Sequence, residues 1–311
     1  MKVSVVIPIF NERENIPILY EKLRSVIDRL KDYEWEILFA DNASTDGSFE
    51  ILKEIHRKDR RVKVVRLRRN FGQTGSLAAG LDFATGDVII TMDGDLQNDP
   101  EDIPLFLEKI KEGYDIVSGW RYNRKDPITK KIPSKIYNWL ASKLTGVKIH
   151  DFGCTFKAMR KEVVRNIRLY GEMHRYIEAL ASEMGVSITE IKVRHHPRIY
   201  GKSKYGVSRI IKGFLDLLTV KFLLSYSTRP LHLFGIPGLI LTLLGILTGG
   251  YLTFKWFMGE SIWGRPLLLL AILLIIVGVQ FIVMGLLAEM IVRAYYESTG
   301  KKIYYVKEVL D

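Results

Sequence analysis

The sequence predicts an α/β domain built on a mostly parallel sheet, followed by two membrane-spanning helices. Three observations carry the prediction. Short β-rich runs alternate with segments of helical period over residues 1 to about 120. Acidic and polar residues stand directly after several of those runs. Two long charge-free stretches occupy the C-terminal third.

The strand candidates are residues 3–9, 36–40, 62–67, 87–92 and 115–119, with a further one at 188–193. The first run, MKVSVVIPIF, passes into NERENIP without a small-residue cleavage site, so it is expected to be a retained strand and not a signal peptide. Residues 15–30 place Ile16, Leu19, Leu23, Val26, Ile27 and Leu30 on one helical face, with Asn15 as the candidate N-cap. Helices between parallel strands cover both faces of a sheet, and such sheets bind ligands at the carboxyl ends of their strands. From 121 to 204 the pattern loosens into basic loops (Arg121, Arg124, Lys125, Lys130, Lys131) and helices near 134–144 and 174–184, an elaboration of the same domain. The expected catalytic-sized domain is 1–204.

Residues 207–226 carry Arg209, Lys212, Asp216 and Thr219 at i, i+3, i+7 and i+10 among apolar neighbours, the pattern of a basic helix lying in a membrane interface. The interfacial segment is set at 205–230. Residues 233–254 and 266–288 have no charged side chain; each reaches about 33 Å as helix, enough for a bilayer core of about 30 Å. They form a two-span hairpin over 231–290, leaving 291–311 as a C-terminal tail. Arg209, Lys212, Lys221 and Arg229 precede the hairpin and Arg293, Lys301, Lys302 and Lys307 follow it, while the turn holds only Lys255 and Arg265. The expectation is an integral membrane protein with its catalytic domain and both termini in the cytoplasm.

Composition narrows the chemistry. A single cysteine, Cys154, in 311 residues excludes an intramolecular disulfide and any multi-cysteine zinc site. Lys+Arg 46 against Asp+Glu 35 leaves a formal charge of +11, which calls for an anionic partner: nucleic acid, a phosphorylated substrate or anionic lipid. Nucleic-acid binding explains the charge but not two spans.

The residues after the strands suggest a nucleotide site. Strand one ends in Pro8-Ile9-Phe10-Asn11-Glu12, strand two in Asp41-Asn42-Ala43-Ser44-Thr45-Asp46-Gly47, and the strand at 87–92 in Asp93-Gly94-Asp95-Leu96-Gln97. An Asp-x-Asp after a strand can hold a divalent cation whose other positions take a diphosphate, although an acidic turn has the same spelling. Asp46 is read as the cap of the helix after Gly47. An aromatic wall and a carboxylate suit a flat base bearing N–H donors, while Pro8 and Phe10 equally suit a packed strand terminus. The histidines at 150, 174, 195 and 196 have no convincing metal spacing, and the pair before Pro197 reads as a strand edge.

The PxxNE, DNxSxD and DGDLQ segments resemble the inverting family 2 glycosyltransferases of GT-A fold. The tract RRNFGQTGSLAAGLDFATGDVIITMDGDLQNDPEDI, then DFGCTFKAMRK and RIYGKSKYG, is similar to the polyprenyl-phosphate hexosyltransferase branch, which includes dolichol-phosphate mannose synthase and bacterial glucosyl and aminoarabinosyl transferases. The match covers residues 1 to about 230, and the paired spans also fit. The resemblance implies that Pro8, Phe10, Glu12 and Asp41 bind the nucleoside, and that Asp93, Asp95 and Gln97 hold Mg²⁺ or Mn²⁺ with the diphosphate. It makes a UDP-hexose the first choice of donor, through the Asn-Phe-Gly stretch, and GDP-mannose the second. Polyprenyl phosphate, dolichyl or undecaprenyl, is the implied acceptor, its phosphate held by Arg121, Arg198 and Lys204 where domain meets membrane. Asp151, in the DFGC segment, would orient sugar or acceptor, or bond its own turn. A phosphate monoester is already largely dianionic at neutral pH, so no strong general base is required. A processive polysaccharide synthase of the same family is the competing reading, but the chain lacks its Gln-x-x-Arg-Trp motif and its additional spans. A non-catalytic membrane adaptor would be marked by loss of the metal residues, which are present. A homo-oligomer is left open.

Overall fold

The computed structural model describes residues 1–122, 128–169, 173–200, 230–262, 266–298 and 303–311. The predicted interfacial helix and Lys204 lie outside these residues. The chain forms two units, residues 1–220 with 302–311, and residues 221–301.

The first unit is an eight-stranded sheet. Its strands are β1 Lys2–Ile9, β2 Glu34–Asp41, β3 Val62–Leu67, β4 Val88–Thr91, β5 Ile116–Trp120, β6 Lys157–Arg160, β7 Ile188–Lys192 and β8 Val306–Leu310. Their order is β7-β5-β6-β4-β1-β2-β3-β8. β3, β2, β1 and β4 are mutually parallel neighbours. β6 is antiparallel to both β4 and β5, and β8 is antiparallel to β3. The sheet is therefore mixed, with antiparallel strands at 157–160 and 306–310 that periodicity does not reveal. The residues set down as a separate C-terminal tail include an edge strand of this sheet.

Helices cover both faces because alternate residues of the central strands are apolar on each side. Val3, Val5, Ile7 and Ile9 of β1 pack in one core with α1 (Asn15–Arg29), α2 (Ser48–Lys58) and α4 (Ile103–Lys111). On the opposite face α3 (Gly72–Phe83) lies so close that a Cβ on Gly80 would stand 2.3 Å from Val6 Cγ1, so only glycine permits the approach. Among the described residues the remaining helices of this unit are α5 (Ile128–Thr145), α6 (Lys161–Asn166) and α7 (Ile177–Ser182). The helix expected at 174–184 is a 3₁₀ turn, Met173–Arg175, followed by α7. Asn15 does not cap α1: its amide turns back to donate to Glu12 Oε2 at 2.5 Å. Asp46 does serve the start of α2, its Oδ1 accepting from Ser48 N–H at 3.0 Å.

The second unit holds α8 (Pro230–Phe257) and α9 (Pro266–Ser298). Phe234–Phe257 and Pro266–Ala288 are long and apolar enough to cross a membrane, and only 22% and 11% of their most apolar windows are buried. A core helix of a soluble domain would be largely covered. Small residues let the pair approach: a Cβ on Gly238 would meet Gly278 O at 2.7 Å, and one on Gly245 would meet Ala271 O at 2.9 Å.

Candidate functional site

The chain reverses direction across the sheet between β1 and β4: from β1 it proceeds outward through β2 and β3, then returns to place β4 on the other side of β1. Crevices at such switch points, outside the carboxyl ends of the strands, are where open α/β sheets bind ligands. The segments singled out from the sequence lie at this edge. Asn11, Ala43 and Leu96, following β1, β2 and β4, have φ of 55°, 59° and 63°. Three non-glycine residues in the left-handed region, at about 1–3 kcal/mol each, mark loops over-determined by their surroundings. Asn11 and Ser44 cross-link two of them, Asn11 N–H donating to Ser44 Oγ at 2.9 Å and Thr45 N–H to Asn11 Oδ1 at 2.9 Å.

Asp41, the last residue of β2, is fully buried. Its Oδ1 accepts from Ser44 N–H at 3.1 Å, while its buried Oδ2 accepts no hydrogen bond among the described residues and has Arg66 Nε 3.6 Å away. Burial raises its pKa above the ordinary carboxylate value. A buried acceptor without a donor is costly unless a ligand supplies one.

Asp93 is held on both oxygens by neutral donors, Gln73 Nε2 on Oδ1 at 3.0 Å and Thr155 Oγ1 on Oδ2 at 2.6 Å. Its pKa is raised, by burial first and by the Asp95 carboxylate second. Asp95 Oδ1 accepts from Gln97 N–H at 3.2 Å and its Oδ2 pairs with Arg198, whose other nitrogen is 3.9 Å from Glu12 Oε1. Gln97 also donates to His196 O at 3.3 Å. Arg198 reaches this point because the chain after β7 runs back along the β4 turn, bridging Asn98 to His195 and pairing Arg194 with Asp102 at 2.8 Å. Two mutually repelling carboxylates with a guanidinium between them and Glu12 form an anionic nest already requiring positive charge. No cluster of three His, Cys, Asp or Glu side chains suited to a metal occurs among the described residues. Two carboxylates and an amide nonetheless fit a hard divalent cation, which often takes one or two carboxylates and completes its shell with substrate phosphates.

Arg121 stands after β5 and makes a bidentate pair with Asp151, at 2.7 and 2.8 Å. Burial opposes the guanidinium charge, but the Asp151 carboxylate outweighs it and raises the pKa. A Cβ on Gly153 would come within 3.2 Å of Arg121 Nη2, so the glycine of the DFGC segment leaves room for the pair. Cys154 is buried, and burial pushes its thiol up to about 11, the setting of a structural cysteine. The structure thus gathers Glu12, Asp95, Gln97 and Arg198 in one contact network and Arg121 with Asp151 in a second.

Sequence reasoning missed Gln73, Thr155 and the buried groups behind them. Thr74 Oγ1 contacts His174 Nδ1 at 2.7 Å, and Lys157 pairs with Glu178, which also accepts from Ser118 Oγ at 2.5 Å. Polar residues embedded in strand and helix patterns were the available signal. Their partners lie 20 to 100 residues away in the chain.

The family model for glycosyl transferase family 2 matches residues 4–168. A dodecaprenyl-phosphate galacturonate synthase from Rhizobium johnstonii is 42% identical, the match covering 100% of this chain and 94% of that protein. An undecaprenyl-phosphate 4-deoxy-4-formamido-L-arabinose transferase from Photorhabdus laumondii is 36% identical over 99% of this chain and 94% of its own length. Among solved structures, glucosyl-3-phosphoglycerate synthase from Mycobacterium tuberculosis, in complex with Mn²⁺, UDP and phosphoglyceric acid, superposes with a TM-score of 0.53 at 17% identity over 72% of this chain and 78% of that one. A mannosyltransferase from Pyrobaculum calidifontis in complex with GDP-Man and Mn²⁺ gives a TM-score of 0.51 at 16% identity, covering 71% and 62% of the two chains. The acidic strand ends at the β1/β4 switch point, the family match over more than half the chain and the full-length relatives agree: this chain is a glycosyltransferase and belongs to glycosyl transferase family 2.

Proposed function

We propose that the protein transfers a hexose, with inversion, from a nucleotide sugar to polyprenyl phosphate at a membrane, and that UDP-hexose is the donor. The observation that carries this reading is the convergence at one switch point of a buried carboxylate oxygen without a donor, on Asp41, and the Asp93–Asp95 pair. Asp41 Oδ2 would accept from an N–H of the base, with Pro8, Phe10 and Glu12 framing the nucleoside. Asp93, Asp95 and Gln97 would hold Mg²⁺ or Mn²⁺, which when bound offsets the charge of the departing nucleoside diphosphate. The two full-length relatives are named for polyprenyl-phosphate acceptors, and α8 and α9 are fitted to the membrane such an acceptor requires.

In the reaction the acceptor phosphate oxygen attacks the anomeric carbon as the bond to the diphosphate breaks. A dianionic phosphate needs no proton removed, so the chain's work is positioning and charge stabilisation. Arg198, beside Asp95 and Glu12, would meet the acceptor phosphate. Arg121, oriented by Asp151, would supply a second cation and Lys204 a third. The basic residues flanking the hairpin support a cytoplasmic catalytic unit. The test is a screen of UDP- and GDP-sugars with polyprenyl phosphate and a divalent cation, the glycolipid being identified by mass. Product from a UDP-sugar is expected; product from GDP-mannose alone would replace the donor assignment, and no glycolipid from any donor would overturn the reading.

A further inference from the structure

We propose that the C-terminal segment, residues 303–311, is a working part of the donor site: through Tyr304 and Tyr305 it holds helix α3 in place, and with it the Gln73 amide on Asp93. The inference rests on the donor-site reading above.

β8 joins the sheet beside β3, and the backbone continues the contact beyond the strand, Arg68 N–H donating to Tyr305 O at 3.0 Å. The two tyrosines then address opposite ends of α3. Tyr304, buried at 4% exposure, donates its hydroxyl to Asp82 Oδ2 at 2.7 Å in the last turn of the helix. Tyr305 sets its ring 6.0 Å from that of Phe71, the residue that precedes the helix, and Arg69 covers Phe71 from 4.4 Å.

The first turn of α3 faces the site. Phe71 N–H donates to Asn42 Oδ1 at 2.9 Å, and the Asn42 amide returns to Asn70 Oδ1 at 2.9 Å and to Gly72 O at 3.1 Å. Asn42 adjoins Asp41. Gln73, next in the chain after Gly72, donates to Asp93 at 3.0 Å. One short run, 70–73, therefore touches the loop after β2 and the carboxylate after β4, while its own outer side rests on Tyr305. α3 itself is rich in glycine and alanine and offers few large side chains to fix its position, so contacts at its ends weigh heavily.

All the donor residues named from the sequence precede residue 100, which predicts that a truncation after Arg229 keeps nucleotide affinity. The strap reverses that expectation, because the truncation also removes β8 and leaves β3 as an unpaired edge. Tyr304 and Tyr305 are positioning residues, acting on the donor through α3.

The experiment uses the full-length protein in lipid nanodiscs with Tyr305→Ala, Tyr304→Phe and Tyr305→Phe. Amide hydrogen exchange is followed at residues 68–83 and, as control, in β1, and binding of UDP and of GDP with Mn²⁺ is measured by calorimetry. Tyr305→Ala is expected to speed exchange at 68–83 but not in β1, and to weaken nucleotide binding about tenfold, the scale seen when an outer partner of a metal ligand is lost. Tyr304→Phe should act in the same direction more weakly, and Tyr305→Phe, which keeps the ring, should match the wild type. A merely structural role would lower the melting temperature and speed exchange in β1 together with 68–83. That outcome, unchanged exchange at 68–83, or faster exchange there with unchanged nucleotide affinity would each overturn the proposal. Wild-type protein that binds neither nucleotide would count against the donor-site reading, and exchange at 68–83 would still decide whether the tyrosines hold the helix.

Discussion

The parallel half of the sheet, β3-β2-β1-β4, and the mixed half, β6-β5-β7, solve different problems. In the parallel half the strand interiors are mostly apolar, Glu36 of β2 with its partners Ser4 and Lys63 being the buried exception, and the site carboxylates wait at the carboxyl ends, Glu12, Asp41, Asp93 and Asp95, within a few residues of the strands that carry them. In the mixed half charge runs through the interior: Lys157 on β6 is 1% exposed and pairs with Glu178, itself 0% exposed. The arginines proposed to meet phosphate also come with carboxylates attached, Arg121 on Asp151 and Arg198 on Asp95. The difference teaches that carboxylates can be presented from loop ends beyond an apolar strand, whereas cations drawn into a covered part of the domain need paired carboxylates to hold them.

The sharpest break in this comparison is Asp95→Asn, which removes one carboxylate from the parallel half. Transfer should fall by at least about a thousandfold, roughly 4 kcal/mol of activation free energy, with an unchanged melting curve. Normal turnover in a folded variant would sink the cation assignment. On the mixed side, Lys157→Met strands the buried Glu178 charge and should cost about 3–5 kcal/mol of stability by denaturant unfolding. The double variant Lys157→Met with Glu178→Leu should recover most of that loss, and if it is no better than the single variant, the pair is not the source of the cost.

A smaller effect separates the two halves by substrate. Arg198→Ala should lower transfer to a short, water-soluble prenyl phosphate by about ten- to a hundredfold, the worth of one charge-assisted contact, and spare nucleotide binding far more than Asp41→Ala does. A defect that disappears with the soluble acceptor would reassign Arg198 to lipid headgroups. The smallest effect is a stability difference at Glu36, buried in β2. Burial alone would raise its pKa, but bonds from Ser4 Oγ and from Thr85 N–H and Oγ1 lower it below the ordinary value. A depressed carboxylate stabilises the fold above its unfolded pKa of about 4.3 and loses that contribution as pH falls through the lower folded value. Glu36→Gln should therefore cost about 1 kcal/mol near pH 7 and progressively less in acid. A difference independent of pH would show that packing, and not charge, is at stake.

By itself the sequence determined the parallel strands, the acidic groups after them and the two charge-free stretches, because each is written in contiguous residues whose period or spacing is local. Tertiary structure alone decided the two antiparallel strands. β6 is four residues long, begins with a lysine and ends with an arginine, and its buried Lys157 is paired with Glu178 of α7. β8 alternates without strong apolar content and gains its place from the open edge of β3, more than two hundred residues earlier in the chain. The same holds for Gln73 and Thr155 on Asp93 and for Arg198 on Asp95: hydrogen bonds across long loops depend on which strands become neighbours. That choice is made by burial of the whole sheet, not by any one segment.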